Sequence, residues 1–86
     1  MRTDQNEQVT AAQMKTGQTG TVAGVMGGHG LVSRLDALGI RPGRRVTKIS
    51  STLFHGPVTL GVDNARIAVG FGMARRIIVR VDKQLP

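Results

Sequence analysis

At 86 residues without a cysteine, the chain has room for one compact domain and excludes both a disulfide framework and a thiolate metal centre, so packed aliphatic side chains must hold the fold together. Twelve Lys and Arg against five acids leave a formal charge of +7, which favours acidic partners such as nucleic acid, anionic lipid or an acidic protein face. No stretch approaches the roughly 20 apolar residues of a membrane span, and residues 1–8 lack the apolar segment of a secretory signal, so the expectation is a cytoplasmic protein. The cations Arg34, Arg41, Arg44, Arg45, Lys48, Arg66, Arg75, Arg76, Arg80 and Lys83 never run longer than two, which predicts a solvated surface.

In chain order, Thr10 and Gln13 have capping-box spacing with Val9 in the staple position, which predicts one short helical turn. Lys15 to Gln18 reads as a turn. Thr19 to Met26 follows as a first strand whose glycines leave room for a neighbouring backbone or a bend. Gly27 to Gly30 breaks the pattern. Leu31, Leu35 and Leu38, with Val32 widening the stripe, predict an amphipathic helix. Its end is marked by Gly39 for the left-handed cap, Ile40 to fold back on Leu35, and Pro42 to prevent resumption.

Arg44 to Ser51 reads as a second strand, and the three-residue step from Val46 to Ile49 predicts a bulge or an edge position. Phe54-His55-Gly56-Pro57 carries turn chemistry, after which Val58, Leu60 and Val62 share one face of a third strand. Asp63-Asn64 tolerates a tight hairpin into a fourth strand, Ala65 to Gly70. Met73 to Arg75 makes a helical turn, and Ile77, Val79 and Val81 alternate in a fifth strand. Five short strands with one inserted helix predict an all-β fold, a small partly closed barrel. The domain spans residues 9–82, between polar tails at 1–8 and 83–86.

The ordered landmarks Gly17-Gln18-Thr19-Gly20-Thr21-Val22, Leu35-Asp36-Ala37-Leu38-Gly39-Ile40-Arg41-Pro42-Gly43, Gly56-Pro57-Val58 and Ala74-Arg75-Arg76-Ile77-Ile78-Val79 resemble the ferrous iron transport protein A (FeoA) family, over nearly all of residues 9–81. Leu-Gly-Ile-x-Pro-Gly is the most specific segment. The resemblance implies an SH3-like barrel, similar also to the C-terminal domain of iron-dependent repressors. It further implies a non-enzymatic accessory of ferrous iron uptake that works in the cytoplasm, at the inner face of the membrane, beside the transporter FeoB and its GTP-hydrolysing domain.

The residues add their own chemistry to that implication. Gly24 to Gly30 lacks the Gly-Lys-Ser/Thr ending of a phosphate loop and reads as a flexible bend. Ser33, Ser50 and Ser51 have no arrangement that ties them to a base and an orienting carboxylate, so no catalytic residue is expected. His29 and His55 offer imidazole donors for a weakly held divalent metal, Fe(II) or Zn(II), although their spacing is not a motif and no cofactor is required. With no Trp or Tyr, the chain lacks the groove of a proline-rich-peptide reader, and two phenylalanines are few for stacking nucleic-acid bases.

Three functions therefore compete. The first is a module that docks on FeoB through Leu38, Gly39, Ile40, Arg41, Pro42, Gly43 and Arg44, with Ile40 as an apolar anchor between cations and with Leu35 and Leu38 filling the core. The second is a carrier or sensor of a divalent transition metal using His29 and His55. The third, a basic nucleic-acid-binding module, is disfavoured by the shortage of rings. An open sheet edge would also allow a second copy to pair as a homodimer.

Overall fold

The computed structural model describes residues 7–52 and 54–82. The chain runs β1 (Glu7–Thr10), β2 (Thr19–Val25), α1 (His29–Ala37), β3 (Arg45–Ser51), β4 (Val58–Val62), β5 (Ala65–Val69), α2 (Phe71–Ala74) and β6 (Ile77–Val81). The expected tail at residues 83–86, and most of that at 1–8, lies outside the described residues. The six strands form one antiparallel sheet in the order β1-β6-β2-β3-β4-β5, which leaves β1 and β5 at its edges. No helix among the described residues is long and apolar enough to cross a membrane.

Among the described residues there are six strands where five were expected, because Glu7 to Thr10 pairs with β6 in the register Glu7↔Val81 to Thr10↔Ile78. Val9 therefore lies opposite Val79 as a strand residue. The capping box is nonetheless real: the Thr10 N–H donates to Gln13 Oε1 at 2.9 Å and the Gln13 N–H donates to Thr10 Oγ1 at 3.2 Å. Those bonds close a single turn that carries Ala11 and Met14 into the core.

Alternation sets the core face. Val58, Leu60 and Val62 of β4 are buried, as are Val46 of β3, Val69 of β5, and Ile77, Val79 and Val81 of β6. Leu35 of α1 and Ile40 beyond its end complete the packing, with Ala74 of α2. The expected irregularity in β3 is a register shift against β4 between Lys48 and Ser50, and a second shift interrupts β2 against β6 between Val22 and Gly24. Bulges of this kind add the local bend and twist that a short sheet needs to wrap its core.

Gly20 shows why β2 is rich in glycine. A β-carbon there would lie 2.5 Å from the Arg80 carbonyl oxygen and 2.8 Å from Val81 Cα, so the backbones of β2 and β6 approach more closely than any side chain allows. Gly20→Ala is expected to lower stability by about 3 kcal/mol, read as a lower urea midpoint at unchanged slope. Gly24→Ala is the contrast within the same strand: its added carbon meets nothing within 4 Å, and its stability is expected to stay within about 0.5 kcal/mol of wild type.

Lys48 corrects the expectation of an all-solvated set of cations. Alternation from Val46 points it to the core face, where it is 1% exposed. Its ammonium donates to the carbonyls of Met14 at 2.7 Å, Ala11 at 2.9 Å and Ala12 at 3.3 Å, one acceptor for each of its three protons. Lys48 thus ties the β1–β2 connection over the sheet. Burial pulls its pKa below the ordinary lysine range.

Candidate partner-docking site

The end of α1 is a Schellman turn. The Ile40 N–H donates to the Leu35 carbonyl at 2.9 Å and the Gly39 N–H to the Asp36 carbonyl at 2.9 Å, while Gly39 takes φ 89° as the left-handed residue. This reversal drives Ile40 back beneath the helix onto Leu35, where it is 1% exposed. Leu38, the helix C-cap, turns outward instead and is 38% exposed. Ile40 folds back on Leu35 as expected, but this buries it, so Leu38 and not Ile40 is the exposed apolar side chain of the segment. Helical periodicity assigned Leu38 to the buried stripe, and the Schellman turn gave that place to the residue two positions later.

The segment after Ile40 is fastened to β2. The Gly43 N–H donates to the Val22 carbonyl at 2.8 Å, and the Val22 N–H donates to the Arg44 carbonyl at 2.8 Å. Gly43 holds φ 95°, a second left-handed position in five residues. Arg41 pairs with Asp36 at 3.0 Å across the turn, and Arg44 pairs with Asp63 of the β4–β5 hairpin. Leu38, Arg41, Pro42 and Gly43 are exposed and Arg44 is half-buried, so the corner presents one apolar side chain with cations already fixed by neighbouring carboxylates. Such pre-set geometry lowers the ordering cost of binding.

On the outer face of the sheet Arg45 forms a fork with the Asp82 carboxylate at 3.0 and 2.6 Å and reaches Thr21 Oγ1 at 3.2 Å. Hydrogen bonding and charge from Arg45 hold the Asp82 carboxyl below the usual carboxylate range. The Thr19 and Thr47 hydroxyls meet at 2.9 Å on the same face.

The two histidines stand on different elements. His29 is the exposed first residue of α1, and His55 lies in the β3–β4 turn with its ring stacked on Phe71 at 4.3 Å between centroids and 18° between planes. Among the described residues no group of three or more His, Cys, Asp or Glu converges. Sites for a resident divalent metal ordinarily collect at least three protein ligands, and the described donors of one molecule do not assemble such a set.

Comparison with known proteins agrees with this architecture. The family model described as FeoA domain matches residues 9–81. A crystal structure of an iron uptake regulatory protein, FeoA, is 32% identical and superposes with a TM-score of 0.82 over 87% of this chain and 99% of that one. The FeoA of Stenotrophomonas maltophilia is 21% identical, with a TM-score of 0.70 over 83% of this chain and 88% of that one. It is described as a prokaryotic SH3 domain protein complexed with zinc and put forward as an activating factor of ferrous iron transport. A manganese-dependent transcriptional repressor shares the fold at 21% identity and a TM-score of 0.80, over 93% of this chain and 45% of that one. No curated protein is similar enough to this sequence to be matched.

An antiparallel six-stranded sheet with two short helices among the described residues, and with a capped corner at the end of α1, defines the class: an SH3-like module. Within that class the chain belongs to the FeoA family, which is linked to ferrous iron transport.

Proposed function

We propose that this protein is a non-catalytic, cytoplasmic accessory of bacterial ferrous iron uptake that docks on the cytoplasmic part of the FeoB transporter and modulates Fe(II) transport. The observation that supports this reading best is the corner Leu38–Arg44. A left-handed cap, a buried Ile40 and two hydrogen bonds to β2 fix one exposed leucine beside Arg41 and Arg44. Arginine is enriched among the residues that dominate binding energy, and positioned charges steer association and select partners, so this corner offers an acidic protein face an apolar contact with cations close by in the chain.

The test is a calorimetric titration of the protein against the isolated cytoplasmic domain of its own transporter. Leu38→Asn keeps a residue suited to a helix end and removes the apolar contact. Its affinity is expected to fall about tenfold or more at an unchanged melting curve, with each tenfold corresponding to about 1.4 kcal/mol. Equal affinity of Leu38→Asn and wild type would remove this corner from the interface.

A further inference from the structure

Phe54 is 95% exposed at the tip of the β3–β4 turn. It and His55 occupy consecutive left-handed conformations, φ 58° and 62°, although Gly56 follows and would take such a conformation without strain. The turn is not loose, because the His55 ring lies flat on Phe71 of α2. Helix α2 leads directly into Arg75 and Arg76, both exposed, and neither is engaged in an ion pair among the described residues. The Arg76 carbonyl accepts the Met26 N–H at 2.8 Å, which sets a second exposed apolar side chain beside this arginine.

We propose that this end of the molecule is an anchor for an anionic membrane surface, with Phe54 entering the interfacial layer and Arg75 and Arg76 meeting the acidic headgroups. This surface shares no residue with the corner after α1 and takes a different ligand. A lone ring on a projecting turn suits a deformable lipid interface, into which aromatic side chains partition readily. Adjacent unpaired cations suit the negative leaflet. Two other occupants are disfavoured by the same features: a second copy brings another +7 charge against this one, and single-stranded nucleic acid needs a series of stacking platforms where the second phenylalanine is already covered by His55.

The chain contains no Trp or Tyr, so Phe54→Trp supplies a single indole reporter at the tip. Titrated with vesicles of phosphatidylcholine containing about one quarter phosphatidylglycerol, this variant is expected to shift its emission to the blue, with no shift on phosphatidylcholine alone. Phe54→Asn keeps a residue tolerant of the left-handed conformation and is expected to lose about tenfold in co-sedimentation with the anionic vesicles. Arg75→Gln with Arg76→Gln is expected to weaken the same partition and flatten its salt dependence. An unshifted indole, or equal partition of Phe54→Asn and wild type, would overturn the proposal. So would a Phe54→Asn protein that sediments normally but binds the transporter domain weakly, which assigns the ring to a protein pocket.

Discussion

An Ile40→Asp protein is expected to be unfolded under native conditions, whereas Leu38→Asn, two residues away, keeps the wild-type melting transition. Ile40 is buried on Leu35 by the Schellman turn, and Asp there removes a packed aliphatic side chain and leaves a carboxylate without a partner in the core. The first loss alone costs about 2–5 kcal/mol and the unpaired charge adds more. A chain of this length has about 4–13 kcal/mol of stability in total, so the substitution consumes most or all of it. Far-ultraviolet circular dichroism and a thermal melt separate the two variants. A folded Ile40→Asp protein would show that the corner is not locked to the core.

Lys48→Ala is expected to cost about 4 kcal/mol. It opens a cavity and leaves three carbonyls without their donor, of which those of Ala11 and Met14 are buried. Lys48→Met preserves the stem and is expected to cost less, about 2 kcal/mol, the difference reporting on the cavity. The pH dependence has a definite sign. Burial depresses the folded pKa of Lys48, so the folded state binds fewer protons than the unfolded state between that value and the ordinary 10.5. Stability attributable to Lys48 therefore rises with pH across that alkaline window and levels above it. Urea midpoints of wild type minus Lys48→Met, measured from neutral pH upward, are expected to widen in the same direction, and a difference that shrinks would contradict the buried ammonium.

The strands β2 to β6 were legible because their apolar residues alternate or lie between marked turns, and the end of α1 because Gly39, Ile40 and Pro42 have distinct backbone requirements. β1 was not. Glu7-Gln8-Val9-Thr10 offers one apolar residue, and its strand state comes from pairing with β6, a non-local partner that no window of sequence contains. Lys48 was hidden by its type, since a lysine is ordinarily solvated, although strict alternation from Val46 pointed it inward. At the candidate site the turn that ends α1 was legible, and which of its side chains is buried was not. Leu38 follows helical spacing toward the core until the left-handed Gly39 redirects the chain and gives the buried place to Ile40. Phe54 was read as part of an ordinary turn, and nothing in Phe54-His55-Gly56-Pro57 signalled that the positive φ would fall on the two aromatic rings and not on the glycine.

Docking through the corner after α1 is read out residue by residue by amide chemical-shift mapping of the labelled protein against the unlabelled cytoplasmic domain of FeoB. Docking there is expected to perturb amides concentrated at Asp36, Leu38, Gly39, Arg41, Gly43 and Arg44, with Ala65 to Val69 of β5 unchanged. Perturbations confined to the β5 edge, or none at saturating partner, would contradict it.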